Sequence, residues 1–508
     1  MGAGTLLAGT VISNKIGYGG FMKTTVTLLL RGALAGIALL SVGCAGYSSQ
    51  ISETVSSMKT GSLDQALADL EGRSDKDMLF HLEKGELLRM KGAYQESRDT
   101  WLAADRQVQA WEEAVKTDPT KLLGDIGSFI VNDTTRRYDG RDYEKVFLNV
   151  RLALDHLATG DWGAARTEIK KMHERESIIA EFRAKEIEDA KEKAASKGVE
   201  ASSYKELNGY PVETLNDPGV SSLKNAYESA IANYLAGFVY EALGEPSLAA
   251  AGYRKSIEMR PGEKMLEESL AGLDARVVKA PRTKGFVDTL FIVESESAPA
   301  ISSVTLPIML PIPSSRGISL VATPLSWPVI KPLDASGAPS SITVDDKSIS
   351  VSLLTNVDHM ARRALSDEMP GIIARSAVRA IAKGAAQKAV QDNSSRFGLF
   401  GALLSAASSV TAVVSEKADE RSWRTLPAFY SAGRATLPVG VHKVTIHTPA
   451  GPQTREVQLS GSYAVVTVRY SGGSVYLAQP PYVAPTPVAR ATVAPIAPVA
   501  SSDAGRRQ

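Results

Sequence analysis

The chain contains one cysteine in 508 residues, Cys44, and it lies directly behind an uncharged apolar segment. A free cysteine is usually a small buried hydrophobic residue, but a cysteine after a short apolar segment can also be a processing and lipidation site. The segment that begins at Met22 carries Lys23 and Arg31 and then stays uncharged, is too short to span a bilayer, and ends in small residues. We therefore predict a signal peptide over residues 1–43, with Met22 as the true start and an extension upstream of it.

Residues 41–44, Ser-Val-Gly-Cys, resemble the lipobox of bacterial lipoproteins, although Ser41 replaces the usual leucine. In that motif the cysteine sulfur carries a diacylglycerol and the chain is cut just before it, so we expect lipidation at Cys44 and membrane attachment through this lipid. Residues 44–59 are then expected to form a lipidated tether. Ala45 rather than aspartate follows the cysteine, which by the sorting rule of such lipoproteins favours the outer membrane, on its periplasmic side.

The other side chains that could do chemistry lack the spacing of known catalytic sites. Ser56-x-x-Lys59 and Lys59-Thr60-Gly61 overlap, whereas the same elements lie far apart in the sequences of penicillin-recognising serine enzymes. The six histidines show no metal-ligand spacing, and His442 and His447 would point to opposite sides of one strand. The sequence predicts no catalytic residue, no metal, no cofactor and no enzymatic activity.

The composition is that of an ordinary globular protein, with 44% apolar and 22% charged residues. The length predicts two or three domains. Lysine and arginine together number 57 against 56 for aspartate and glutamate. This balance argues against a nucleic-acid partner, because such proteins carry a basic excess.

Residues 60–279 have the pattern of a helical domain built from tetratricopeptide-like repeats. The segment 233–261 has small residues, aromatic residues and a closing Pro261 at the offsets of one repeat, and 81–104 and 147–172 are degenerate copies. Such units stack into a solenoid because no single unit can bury its apolar face alone.

The first helices of stacked repeats usually line a concave groove. We therefore expect an envelope protein or peptide to bind in that groove. The alternative is that the same side chains only pack against neighbouring helices. The candidate partner-binding residues are Leu82, Glu86, Arg89, Tyr234, Phe238 and Glu241.

Residues 283–479 alternate in strand fashion around a helical insert at 358–417, which predicts an α+β domain with a sandwich-like sheet. A hairpin is expected over 341–353 and a four-strand meander over 442–479. The predicted fold class is therefore multidomain, α and then α+β, with an N-terminal tetratricopeptide-like helical solenoid followed by a sandwich-like β domain with a helical insert.

Two features of the insert suggest contacts with other molecules. Arg375, Arg379 and Lys383 recur at i,i+4, so they form either a solvated helix face or a site for an anionic ligand such as phospholipid headgroups or peptidoglycan carboxylates. Residues 397–414 are uncharged but only weakly hydrophobic, which favours a packed helical hairpin over a membrane span.

The C-terminal residues 480–508 are rich in proline and alanine, so we expect a disordered tail. It would be either a spacer that crosses the cell-wall mesh or an uncommitted terminus.

The segments at 138–166, 360–383 and 418–428 together resemble a family of bacterial tetratricopeptide-repeat envelope lipoproteins. The resemblance runs from Cys44 to about residue 478 and implies an architecture and a location, but it transfers no catalytic residue. Some members of that family accompany small lipoproteins that activate peptidoglycan synthases. The resemblance thus implies an outer-membrane lipoprotein that acts as a periplasm-facing interaction scaffold in envelope assembly or peptidoglycan maintenance.

Two other functions compete with the scaffold. One is a peptidoglycan-binding or glycan-modifying accessory factor, whose cleft would lie between the basic insert and residues 419–423. The other is a structural tether between the outer membrane and the cell wall, acting through the tail.

Overall fold

The computed structural model describes residues 46–117, 137–196, 205, 209–279, 285–314, 317–394, 418–448 and 450–479. Within that part only the backbone is described for some of residues 187–196, for 278–279 and 307–324, and for most of 374–394.

The described chain up to residue 279 is helical, as predicted. Its α-helices are α1 Tyr47–Gln50, α2 Ser52–Lys59, α3 Leu63–Glu71, α4 Met78–Met90, α5 Tyr94–Thr117, α6 Asp142–Ala158, α7 Trp162–Ser196, α8 Pro218–Ser221, α9 Ala230–Ala242, α10 Pro246–Met259, α11 Lys264–Ala271 and α12 Leu273–Lys279.

The three predicted repeats form three helical hairpins, α4–α5, α6–α7 and α9–α10. Each turn contains a glycine with positive φ, namely Gly92, Gly160 and Gly244, a conformation that other residues adopt at a cost. Helix α6 is the central helix: from Asp142 to Ala158 every residue is buried except the half-buried His156. The helical character of this half is confirmed.

The expectation of a tether over residues 44–59 is wrong from residue 47 onward, and Cys44 itself lies outside the described residues. Helices α1 and α2 pack into the main core, where Ile51 and Met58 are fully buried. The Tyr47 hydroxyl donates a hydrogen bond to Glu83 on α4 (2.9 Å). Tyr47, Ile51 and Met58 recur at helical spacing, and their burial packs against the core a segment that we expected to be extended.

The second half is α+β, also as predicted. Its elements are β1 Phe286–Ser295, β2 Ile301–Ser314, β3 Gly317–Ile330, β4 Ser341–Val344, β5 Lys347–Ser350, β6 Ser352–Asn356, α13 Val357–Ser394, β7 Phe429–Pro438, β8 Gly440–Thr448, β9 Gly451–Leu459, β10 Tyr463–Ser471 and β11 Ser474–Ala478. Helix α13 confirms the first part of the predicted insert, whereas residues 395–417, including 397–414, lie outside the described residues. Within the described chain no helix is both long enough and apolar enough to cross a membrane.

The strands form a five-stranded sheet in the order β11-β10-β1-β7-β6, a four-stranded sheet β5-β4-β8-β9, and a separate two-stranded ribbon β2-β3. One face of the five-stranded sheet packs on the four-stranded sheet, with Val287, Phe291 and Val466 in their shared core. The other face, which carries Leu290 and Val465, packs on the helices. The molecule therefore has three layers: helices, the five-stranded sheet, and the four-stranded sheet.

The predicted meander over 442–479 is only partly correct. All four strands exist, and glycines with positive φ occur at the expected turns, as at Gly461 and Gly472. However, β8 and β9 belong to the four-stranded sheet, whereas β10 pairs in parallel with β1 in the other sheet. The chain thus passes from one sheet to the other at the Gly461 turn. Pairing with β1 favours this arrangement because it buries both faces of β10.

Candidate functional site

The helix faces where we expected a partner pack against the five-stranded sheet of the same chain. All six candidate residues are therefore buried, none of them more than 4% exposed: Leu82, Glu86, Arg89, Tyr234, Phe238 and Glu241. This burial corrects the expectation that they face another protein. Glu86, Phe238 and Glu241 contact side chains of the sheet. Tyr234 bonds Ser269 in the helical layer and Arg434 on β7. Leu82 and Arg89 make contacts within the helical layer.

Glu86 is the centre of a fully buried charge cluster between helices and sheet. Arg151 on α6 binds it through two nitrogens (3.0 and 2.6 Å) and also pairs with Glu294 on β1. Arg469 on β10 pairs with the same carboxylate and donates to the carbonyl of Thr425 (2.5 Å). Burial alone would raise the pKa of Glu86, but Arg151 and Arg469 hold it below its ordinary value. These pairs fix the register between the two layers.

Glu241 forms a second cluster of the same kind. It accepts hydrogen bonds from Arg276 on α12 (2.6 Å) and from Arg434 on β7 (2.7 Å), and Arg434 also binds Asp288 on β1 (2.7 Å). The Arg434 guanidinium lies 4.8 Å from the ring centre of Phe238. Neither cluster was predicted from the sequence, although Glu294, Arg434 and Arg469 are charged residues within otherwise apolar strands.

Two buried carboxylates hold the segment just before β7. Glu83 accepts hydrogen bonds from the backbone N–H groups of Arg424 (2.7 Å) and Thr425 (2.8 Å). Glu144 accepts one from the N–H of Trp423 (2.6 Å). Burial raises the pKa of both carboxyl groups, and the hydrogen bonds oppose that rise. Residues 423–425 are therefore fixed to α4 and α6.

The same segment borders a cavity of about 300 Å³, which we call the junction pocket. It lies where α6, α7, α13 and the loop at 419–421 meet, so chain segments far apart in sequence build it. Aromatic rings of Trp111, Tyr138, Phe182 and Tyr227 form parts of its wall. Its charged lining residues are Arg137, Asp139, Arg141, Asp142, Lys145, Arg183, Glu186, Asp367, Glu368, Arg375, Asp419 and Arg421.

The charges of the junction pocket alternate in sign and pair with one another. Arg141 binds Glu368 (2.8 Å), and Arg183 bridges Asp142 (2.5 Å) and Glu368 (3.2 Å). Arg421 binds Asp419 (2.8 Å). Basic and acidic side chains are equally numerous in the lining, so the pocket has no net charge to attract a simple anion or cation.

Burial and pairing shift the pKa values of two groups in this pocket. Burial would raise the pKa of Asp142, but the Arg183 guanidinium and the Lys145 ammonium lower it to about 2. Burial lowers the pKa of Lys145, and Asp142 opposes that change. The Lys145 nitrogen lies 3.8 Å from the ring centre of Trp111, a cation–π contact. Asp142 is therefore ionised at neutral pH.

The proposed anionic-ligand residues reach this pocket only in part. Arg375 belongs to the lining, whereas the side chains of Arg379 and Lys383 lie outside the described residues. Of residues 419–423, expected to border a cleft with the insert, Asp419 and Arg421 line the pocket together with residues of α13, but Trp423 is fully buried beside Trp101.

A second cavity, about 400 Å³, lies between α7 and the α9–α10 hairpin, and we call it the Glu176 cleft. Lys255 pairs with Glu228, and its nitrogen lies 3.7 Å from Glu176. Glu176 is 4% exposed, and its Oε1 has no hydrogen-bond partner among the described residues. Burial and the nearby Glu228 raise the pKa of Glu176 to about 8, against the opposing effect of Lys255.

The two cavities differ in the side chains that could do chemistry, since His173 and Ser177 line the Glu176 cleft beside Glu176. The described lining of the junction pocket contains no serine, threonine, cysteine or histidine, and its one lysine, Lys145, is paired with Asp142. Among the described residues no group of three metal-ligating side chains comes together. The junction pocket combines basic and acidic side chains, which can form hydrogen bonds, with aromatic rings. This lining suits a ligand that carries both a positive and a negative charge.

We compared the chain with known proteins at three levels. No protein-family model, no curated protein and no solved structure matches it.

Proposed function

We propose that this protein is a lipid-anchored binding protein of the bacterial envelope, held at Cys44 in the outer membrane and facing the periplasm, and that it works as an interaction scaffold and not as an enzyme. On this proposal the three helical hairpins are tetratricopeptide repeats, which the spacing of Gly237, Ala249 and Tyr253 supports. The process served is envelope assembly or peptidoglycan maintenance.

The observation that supports membrane attachment through Cys44 is the short stretch of sequence between this residue and the folded part of the chain. Gly46, two residues later, lies against the Glu420 side chain, and Tyr47 is already buried. A lipid on Cys44 would therefore hold the body directly at the membrane surface. This differs from the long tether that we expected from sequence.

The binding surface on this proposal is the junction pocket. Because the sheet of the same chain packs against the helix faces where we expected a partner, a partner must bind elsewhere, and the junction pocket combines charged groups with aromatic walls. A chain terminus, or a peptide with both a free amine and a free carboxylate, matches that lining. Peptidoglycan stem peptides have the same chemistry, so the peptidoglycan-binding accessory factor remains the second candidate.

Two experiments test the proposal. Replacing Cys44 with alanine should abolish acylation, detected by mass spectrometry, and release the protein from the membrane fraction. For binding, a photo-crosslinking amino acid at Arg137, an exposed residue on the pocket, is compared with one at Lys116, which does not line it. We expect one envelope protein, or peptidoglycan, to crosslink only at position 137. Equal products at both positions would contradict a partner site in the pocket.

A further inference from the structure

We infer that the β2–β3 ribbon is a membrane-contacting arm that lies in the interfacial region of the bilayer to which Cys44 is anchored. This inference deepens the proposed function and rests on the lipid anchor. The ribbon belongs to neither of the two larger sheets, so among the described residues each strand has a β-partner on one side only.

The composition of the ribbon is the first argument. Its two strands have fourteen residues each, and neither contains an aspartate, glutamate, lysine, arginine or histidine. The single charged residue between Ile301 and Ile330 is Arg316, in the connection. Water-exposed ribbons and edge strands usually carry charges, which keep them soluble and block pairing with other chains. An uncharged ribbon of this length is suited to an apolar environment.

The prolines of the ribbon give a second, independent argument. Pro307 faces Pro324 in the register, and since proline has no N–H, this pair occupies positions where the N–H would point away from the partner strand. Pro311, Pro313 and Pro328 fall at the same alternation of the unbroken register. The ribbon therefore lacks five N–H groups along its outer edges, and each unpaired N–H is costly in an apolar medium.

The position of the ribbon supplies the third argument. Ser48 donates a hydrogen bond to the carbonyl of Ile301 at the start of β2 (2.7 Å), and Ser303 donates one to Glu420 (2.9 Å), the residue that Gly46 contacts. The ribbon therefore leaves the body within a few residues of the predicted lipid anchor. A lipid on Cys44 places its base at the bilayer surface.

The described core contacts of the ribbon lie at its base, close to Ile301 and Ile330. Trp327 and Leu325 are buried, and Leu306 packs at the edge of the core. From Leu306 to Ser314 is eight residues, or about 27 Å at ~3.4 Å per residue. The remaining edge carbonyls still need water or headgroups, so the ribbon should lie along the interface, as other amphipathic segments do, and should not cross the hydrocarbon.

Site-specific fluorescence tests this inference on the full-length lipoprotein in vesicles of phosphatidylethanolamine and phosphatidylglycerol. Acylation leaves Cys44 without a free thiol, so Leu310→Cys, in the outer part of β2, would carry the only NBD label. The matched control is Ser348→Cys on the exposed strand β5. We expect NBD emission at position 310 to rise severalfold on reconstitution and to be quenched by doxyl-labelled lipids, while the signal at 348 stays constant.

Three outcomes would overturn the inference or separate it from the anchor proposal. Equal, lipid-insensitive signals at 310 and 348 in an acylated protein would overturn it. Self-quenching at 310 that depends on protein concentration and not on lipid would show instead that two copies pair through their ribbons, which also overturns it. If Cys44 proves unacylated, the anchor fails, and a Cys44→Ser, Leu310→Cys protein mixed with vesicles then tests the ribbon alone.

A second pair of variants uses charge. In the Cys44→Ser background, replacing Ile308 and Leu310 with aspartate should lower the vesicle-bound fraction at least fivefold. The same two charges at Ser348 and Ser350 should leave it unchanged. Equal binding by both double variants would contradict membrane contact through the ribbon.

Discussion

The interface between helices and sheet and the junction pocket are built from the same side chains, arginines paired with carboxylates, but they differ in closure. Around Glu86 every member of the cluster is buried, and the members come from both layers. Around Arg183 the pairs line a cavity, and the Arg183 and Glu368 side chains stay partly accessible. An enclosed ion pair fixes the arrangement of elements, whereas a pair on a cavity can exchange its partner for a ligand.

The largest loss of stability should come from removing a side chain of the enclosed Glu86 cluster. Arg151→Met leaves Glu86 and Glu294 buried without their shared guanidinium, which should cost about 3–5 kcal/mol in the free energy of unfolding. Urea unfolding followed by circular dichroism measures it. The control is Arg166→Met, which breaks a half-exposed pair with Glu245 and should cost no more than about 1 kcal/mol. Equal costs would show that enclosure is not what matters.

The Glu176 cleft offers an intermediate case, since its carboxylate is enclosed but incompletely paired. Burial raises the pKa of Glu176 to about 8, against 4.5 in an unfolded chain. Between those two pH values the folded state binds more protons than the unfolded state, so this group's contribution to stability is present at pH 4.5 and is lost as pH rises through 8. The other titratable groups that line the cleft are Lys255, Glu228, His173, Tyr227 and Tyr240.

The variant Glu176→Gln removes this titration. We expect it to be more stable than the parent by a few kcal/mol at pH 8.5, on the order that such a pKa shift implies, and similar to it at pH 4.5. Urea unfolding at the two pH values measures the difference. Glu181→Gln, an exposed position on the same helix, is the control and should show no such dependence on pH. A parallel pH profile for parent and Glu176→Gln would mean that Glu176 is ionised throughout.

Close packing between helices of one hairpin gives a smaller, purely steric effect. A Cβ at Gly252 would lie 2.7 Å from the backbone N of Gly237 and 2.8 Å from the carbonyl of Asn233, so Gly252→Ala should cost about 1–3 kcal/mol. A Cβ at Gly163 in α7 would meet only Asp161, at 3.6 Å, and Gly163→Ala should stabilise by about 0.4–1 kcal/mol. Melting temperatures of both variants, shifted in opposite directions, would confirm that the repeat signature reflects helix contact.

Local patterns predicted the elements of this molecule well, because periodicity, turn glycines and small residues act within a few residues of chain. The hairpin turns at Gly92 and Gly244, and the strands around Gly461, follow from such signals. The packing of the helices against the sheet did not follow, since an apolar helix face has the same sequence whether a separate peptide or the chain's own sheet covers it. Glu294 within the apolar strand β1 was the available clue.

The junction pocket was harder to predict than the fold because its parts are far apart in sequence. Arg141 on the second hairpin, Glu368 on the insert and Asp419 after it meet only through tertiary packing. The expected cleft between the insert and residues 419–423 and the anionic-ligand candidate Arg375 pointed to this place, but the contribution of α6 and α7 was not foreseen. Arginines on a helix face look the same in sequence whether they bind water, a partner element or a ligand.

The last pair of variants should have the smallest effect on stability, so they test ligand binding without disturbing the fold. Arg137–Asp139, at the junction pocket, and Lys116–Glu174, away from it, are exposed ion pairs with the same 3.4 Å separation. Arg137→Ala and Lys116→Ala should therefore each change the free energy of unfolding by less than about 1 kcal/mol. With muropeptides released from cell wall as the probe, calorimetry should show several-fold weaker binding for Arg137→Ala alone. If both variants bind like the parent, the charges of the pocket only join elements, as those around Glu86 do, and the distinction between the two regions fails.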